Sequence, residues 1–415
     1  MSIKLVIALI LAIPTYGASL VLLVGYKFYQ AARAVNSVER ALLHLSAEGT
    51  GWGTCFSEIS YLQAKTFLDE KGEFIEAVNL HRTYLLGTSG TALRVQLDKE
   101  PQGRGAIFRV VSLDWLVGLQ QWARAGNLPE RNIGLLNLYN LEAFTDNPYD
   151  SSGNPLLDNE IVALPPNFDK LPKLQKLWLS GKSFASLAPT INKFQSLRVL
   201  HVSESIEIPA GIGSLECLES LQFSHGSVER IPSGIGALQS LTHLGLDNNR
   251  ILSVPSSIGD LKGLWTLDLR RNRIQSLPDS ITANDTIQAL LLGDNQLSEL
   301  PRFPKRPNKY KYMSTIDLGF NQFETIPEAV LEIDDVFKLI MCGNPMTSLP
   351  MDLSRLKVSK LLVFGEQKHL KLAQNQIEWL KHQSDKGCEI WLACDALVLG
   401  DVDKWKTLIG IRMYN

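Results

Sequence analysis

Apolar residues recur through the middle of the chain as Leu-x-x-Leu-x-Leu-x-x-Asn. One copy places Leu241, Leu244, Leu246 and Asn249; the next places Leu264, Leu267, Leu269 and Asn272; a third places Ile287, Leu290, Leu292 and Asn295. These three starts are 23 residues apart, and weaker copies begin at Leu174, Leu197, Leu218, Met313 and Val336. In Leu-x-Leu the two apolar side chains point one way and the middle one points the other, the two-residue period of a short strand. The rest of each period repeats as well, as in Ile231-Pro-Ser-Gly-Ile235 and Val254-Pro-Ser-Ser-Ile258. Proline there fixes φ and removes a donor, which suits an irregular return rather than a second strand. Such units cannot bury their apolar face alone, so they are expected to stack into one continuous core with a parallel sheet along one side. The asparagine ending each strand is expected to bond main-chain groups of the adjacent turns. That ladder is expected at Asn249, Asn272, Asn295, Asn321 and Asn344, because Lys182, Ser205 and Gly226 occupy the position in earlier copies.

The pattern resembles the leucine-rich repeat family, in its LPxxIxxL form typical of Ras-suppressor-like and scaffold-type intracellular repeats. The resemblance covers Ile133 to Phe364, with a degenerate copy at Ile133 and another at Val358–Val363. It implies an α/β solenoid, a horseshoe with short parallel strands on its concave face. It is nearly silent on the ligand.

The flanks follow a different logic. Leu5 to Tyr26 is 22 residues without a charge. As a helix it would be about 33 Å long, enough to cross a bilayer core of about 30 Å. Residues 1–26 are therefore read as a transmembrane anchor, with Pro14 tolerated as a kink. The competing reading is a cleaved signal peptide, with Thr15 and Gly17, or Ala18, as the small cleavage-site residues. Residues 27–49 read as an amphipathic stalk ended by Gly49-Thr-Gly-Trp-Gly53. Residues 50–132 read as a small α+β region capping the repeats. In it Phe74–Leu86 is predicted as a helix, Ile107–Val111 as a strand, and Leu113–Ala125 as a helix covering the open end of the repeat core. Repeats are assigned to 133–364. A C-terminal cap at 365–415 is predicted to hold a helix over Glu366–His382 and an apolar strand-like run over Cys388–Leu399.

Docking chemistry is expected on the x positions of the strands. One column reads Trp178, His201, Gln222, Gly245, Asp268, Leu291, Asp317 and Ile340. The next holds Ser180, Ser203, Ser224, Asp247, Arg270, Gly293, Gly319 and Cys342. Glu204, His225, Asn248, Arg271, Asp294 and Phe320 lie beside these, with His243 in a flanking column. The candidate partner-binding residues are Trp178, His201, Glu204, His225, His243, Asp247, Asp268, Arg270, Arg271, Asp294, Asp317 and Phe320. A polar face of mixed charge with aromatics suits a protein or peptide partner, where aromatics and Arg supply the anchors.

Other chemistry finds little support. No G-x-S-x-G, GxxxxGK[ST], HExxH or C-x-x-C occurs, so no catalytic residue, cofactor or metal is assigned. An enzyme with its site in residues 50–130 stays as an alternative without a visible constellation. The histidines at 201, 225 and 243 fall in different columns, which argues against a zinc site. The polar stretch Glu142–Asn159 lacks calcium-loop spacing and reads as a surface loop. Arg302–Lys311 carries five basic residues and no acid, and reads as a solvated loop rather than an anion contact. The net charge of −2 gives no case for nucleic acid. Cys388 and Cys394 are either buried thiols or one disulfide, and Cys342 is expected exposed on the face. Few cysteines and a slight excess of flanking cations after residue 26 favour a single-pass protein with a cytoplasmic body. The alternative is an exported recognition protein. Oligomeric state is left open.

Overall fold

The computed structural model describes residues 55–78, 81–88, 91–99, 105–127, 134–146, 163–165, 167–302, 313–333, 335–365, 370, 372–393 and 412–414. The expected anchor at 5–26, the stalk, most of the polar stretch after Asp146 and the basic stretch beyond Arg302 lie outside them. Among the described residues no helix is long and apolar enough to cross a membrane. The chain divides into two compact units, Met1–Asn140 and Leu141–Asn415.

The first unit is a five-stranded antiparallel sheet with helices. Its strands are β1 (Cys55–Ser60), β2 (Glu73–Val78), β3 (His81–Thr88), β4 (Thr91–Lys99) and β5 (Gly105–Ser112), in the order β1-β5-β4-β3-β2. Helix α1 (Tyr61–Lys71) follows β1, and α2 (Asp114–Trp122) runs into a π-helical turn at Ala123–Asn127. The strand expected at Ile107–Val111 and the helix expected at Leu113–Ala125 are both present. The helix expected at Phe74–Leu86 is not: that stretch forms β2 and β3, paired antiparallel from Glu73↔Leu85 to Val78↔His81. Thr83, Tyr84, Leu85 and Leu86 are all buried in succession. A strand buried on both faces reads as an unbroken apolar run, which periodicity cannot tell from a buried helix. A second difference lies at the unit's end. Leu135–Tyr139, expected to begin a degenerate repeat, is a short helix, α3, with Leu138 and Tyr139 buried.

The second unit is a stack of coils along a single 12-stranded sheet whose strands follow chain order. They are β6 (Ala143–Thr145), β7 (Lys176–Ser180), β8 (Val199–Ser203), β9 (Ser220–Ser224), β10 (His243–Gly245) and β11 (Thr266–Asp268). They continue with β12 (Ala289–Leu291), β13 (Met313–Asp317), β14 (Val336–Ile340), β15 (Val358–Phe364), β16 (Glu389–Ala393) and β17 (Arg412–Tyr414). Every neighbouring pair is parallel. The sheet thus starts at Ala143, inside the stretch expected to be a loop, and runs past Phe364 to Tyr414. The C-terminal region also carries a helix, but its strands belong to the same sheet.

Register follows the leucines. Leu221, Leu244, Leu267, Leu290 and Ile316 pair in sequence and are buried. The step from Leu290 to Ile316 is longer than the others, yet the pairing holds. After each central strand the chain passes through an extended proline into a 3-10 turn. Pro232, Pro255 and Pro278 have φ of −65, −71 and −70° and precede turns at Ser233–Ala237, Ser256–Asp260 and Asp279–Ala283. Ile235, Ile258 and Ile281 return from these turns to the core. Close stacking demands glycine here: a Cβ at Gly236 would stand 2.5 Å from the Ser257 carbonyl oxygen of the next coil. In the first coils α4 (Gly181–Leu187) replaces the asparagine turn, so Lys182 sits in a helix. Helix α5 (Glu328–Leu331) takes the 3-10 position later, and α6 (Gln374–Asp385) precedes β16.

The five asparagines do one job each time. Asn272 donates from Nδ2 to the carbonyls of Leu246 (2.9 Å) and Leu269 (3.0 Å), while its Oδ1 accepts from the Ile251 amide (3.0 Å). Asn249, Asn295, Asn321 and Asn344 make the equivalent set, each reaching back one coil. All five are buried, so these bonds satisfy polar groups that water cannot reach. Before Asn249 the chain improvises. Buried Asp146 accepts from the Ser180 amide (2.9 Å) and hydroxyl (2.7 Å), and Ser205 Oγ donates to the Glu207 carbonyl. After Asn344, buried Gln376 donates to the carbonyls of Leu349 and Pro350 and accepts from the Ala373 amide.

Candidate partner-binding face

The strand face opposite the core holds the candidate residues. Cα register aligns Trp178, His201, Gln222, Gly245, Asp268, Leu291, Asp317 and Ile340 in one row, and carries it on through Val363, Trp391 and Arg412. The strands end at this row in β10 to β14 and two residues beyond it in β7 to β9. Three beyond it, the backbone turns left-handed in coil after coil. Glu204, His225, Asn248, Arg271, Asp294 and Phe320 have φ between 53 and 59°, and Gly343 follows with φ 68°.

The left-handed residue is what lets the chain peel off the sheet while keeping its hydrogen bonds. The Arg271 amide donates to the Gly293 carbonyl and the Asn272 amide to the Asp294 carbonyl, with the same pair repeated in neighbouring coils. Each non-glycine in this region costs about 1–2 kcal/mol. From Asn248 onward the asparagine beside it fixes the turn and offsets the cost. Leucine spacing does not reveal this row, since Glu, His, Arg and Phe carry no left-handed signature; only Asn248 and Asp294 give a hint.

The row and the strand ends together frame a cavity of about 640 Å³. It gathers His225, Asp247, Arg270, Arg271, Asp294, Asp317 and Phe320 from the candidates, with Asn248, Gly293, Ile340 and Cys342 completing the wall. Arg270 binds Asp268 through two bonds, Nε to Oδ1 at 3.0 Å and Nη2 to Oδ2 at 2.6 Å. That hydrogen bonding holds the guanidinium pKa above its ordinary value. Burial pushes the Asp317 carboxyl above the usual carboxylate range, opposed by the Gly319 amide that donates to it (3.1 Å) and by the charge of Arg270. Arg271 Nη1 donates to Asn248 Oδ1 (3.3 Å), and Asn248 Nδ2 to Asp247 Oδ2 (2.6 Å). Phe320 is 49% exposed. Cys342 is half-buried rather than fully on the surface.

The remaining candidates lie apart. Trp178 and His201 meet edge to face with ring centroids 6.2 Å apart, and His201 Nε2 shares a hydrogen bond with Ser220 Oγ (3.1 Å). Burial lowers the His201 pKa, favouring the neutral ring. Glu204 sits in the same left-handed row near them. His243 is exposed and shares a hydrogen bond with Thr242 Oγ1 (2.8 Å). Among the described residues no group of three or more His, Cys, Asp or Glu could hold a metal ion. Cys388 is a free, buried thiol whose pKa is pushed up to about 11 by burial and by Glu389, and Cys394 lies outside the described residues. Asn284, part of a glycosylation-like Asn-Asp-Thr triplet, is fully buried and donates to the Leu261 carbonyl.

A family model described as leucine rich repeat matches residues 239–297. The chain contains leucine-rich repeats. The match covers the coils with the most regular asparagine turns. No curated protein sequence matches the chain. Among solved structures, the repeats are similar to a leucine-rich-repeat protein of Leptospira interrogans, at 20% identity over 64% of this chain and 92% of that one, with a TM-score of 0.38. They are similar to the PEPR1–AtPEP1 complex at 21% identity, covering 64% of this chain and 43% of that chain, with a TM-score of 0.40. The plant peptide hormone receptor RGFR1 in complex with RGF2 is similar at 20% identity, covering 64% and 48%, with a TM-score of 0.38. The chain spans less than half of the length of those last two chains.

Proposed function

We propose that the outward strand face of the repeats is a docking surface for a protein or peptide partner, and that the chain acts by binding rather than by catalysis. The observation that carries this reading is the cavity at the strand ends, where an exposed aromatic and charged side chains from four successive coils face one opening. Aromatic and Arg side chains in a partly enclosed setting are the groups that anchor interfaces. Replacing Trp178, Asp268, Arg270, Arg271 and Phe320 together with alanine is expected to weaken capture of the partner while the thermal unfolding profile keeps its shape. Undiminished capture by that variant sinks the reading.

We propose further that the chain is tethered to a membrane. The uncharged run 5–26 supports a single-pass tether, and the flanking cations support a cytoplasmic body. Carbonate extraction should leave the chain in the membrane pellet, and the mature mass should retain the first 18 residues. A mature chain lacking about 17 or 18 residues would instead mean export and cleavage.

A further inference from the structure

The charge around the cavity is unbalanced. Arg270 is engaged with Asp268, so that pair is close to neutral. Three carboxylates, Asp247, Asp294 and Asp317, then share the opening with one other guanidinium, Arg271. Asp294 makes no side-chain hydrogen bond or ion pair with a described residue, and Asp317 takes only the Gly319 amide. Acidic groups alone would be a solvated patch. Here an aromatic wall and a glycine floor shape them. Gly293 has no side chain to fill the floor, and a Cβ there would come within 2.9 Å of Asp317 Oδ1. Phe320 stands half-exposed at the side, its ring held against Gly343 of the next coil.

We infer that this cavity is a socket for an arginine side chain of the docking partner, an inference that rests on the docking reading above. A guanidinium matches the surplus carboxylates in charge and offers five donors to them. Its plane can lie on the Phe320 ring, and its methylene stem can cover the apolar edge formed by Ile340. An anionic side chain would meet three like charges, and a neutral one would leave them uncompensated.

The test uses the purified full chain and three capped tripeptides, Ac-Ala-Arg-Ala-NH2 and its citrulline and glutamate counterparts, titrated by saturation-transfer NMR. The arginine peptide should bind saturably and weaken as salt rises. The citrulline peptide, equal in shape but uncharged, should bind at least about tenfold more weakly, and the glutamate peptide more weakly still. Asp294→Asn, which keeps a residue suited to left-handed backbone, and Phe320→Leu should each weaken the arginine peptide. Equal binding of arginine and citrulline, no saturable arginine binding, or an unchanged response in Asp294→Asn would overturn the socket. If the five-alanine variant loses its partner while the arginine peptide fails to bind, the docking surface stands and the socket falls. If that variant keeps its partner, the docking surface itself falls.

Discussion

The ring of Phe320 rests on the main chain of Gly343 one coil further along: a Cβ placed at Gly343 would lie 2.7 Å from Phe320 Cε1. Gly343 also has a left-handed φ of 68°. Two separate costs therefore meet any side chain at that position. Gly343→Ala should lose about 1–2 kcal/mol from backbone conformation, with a further loss from displacing the ring. Urea unfolding of Gly343→Ala, Phe320→Ala and the double variant separates the two. The double variant should recover the steric part and keep the backbone part, giving a measurable coupling. Additive single effects would mean that the ring does not bear on the glycine.

Asn272 tests the ladder. Its side chain serves two carbonyls and one amide in the buried region between coils. Asn272→Ala strands these groups and should cost about 1–3 kcal/mol in urea unfolding. Asn272→Asp should be worse at neutral pH, because it removes the donor and buries a charge. The gap between the two variants should close as the pH falls and the carboxyl is protonated. A variant as stable as the parent chain would show that the ladder is not needed.

Asp317 predicts a pH dependence of stability. Burial raises its folded pKa above the unfolded value, so the folded chain holds this proton more readily. Its contribution is most favourable below the unfolded pKa and is lost as pH rises through the folded pKa. At neutral pH the ionised group burdens the fold. Asp317→Asn keeps an acceptor for the Gly319 amide and removes the charge. The variant should melt at a higher temperature than the parent near about pH 7, with the difference vanishing near about pH 3. A lower melting temperature at neutral pH would mean that attraction to Arg270 outweighs burial.

Much of the repeat unit was legible because one physical demand recurs in every coil. Leu244, Leu267 and Leu290 face the same core and pair in sequence, so their spacing alone sets strands and register. The face rows from Trp178 to Ile340 follow, since outward positions are whatever the leucines leave. The cavity was less legible. It arises from small residues at Gly293 and from the left-handed row, neither of which changes hydrophobic periodicity. In the first unit no repetition was present to average over. There the buried run Thr83–Leu86 defeated a reading based on amphipathic spacing, whereas the strand expected at Ile107–Val111 lies within the observed Gly105–Ser112. At the far end, β16 and β17 continue the sheet without the leucine signature; β16 falls within the apolar run Cys388–Leu399 and pairs with both β15 and β17.

The long step between Leu290 and Ile316 leaves the strand pairing unaltered, and Asn321 still bonds Leu292 and Leu297 of the preceding coil. Chain length between two strands can therefore grow without shifting the strand register, so the rows of outward side chains keep their alignment across a step of unequal length.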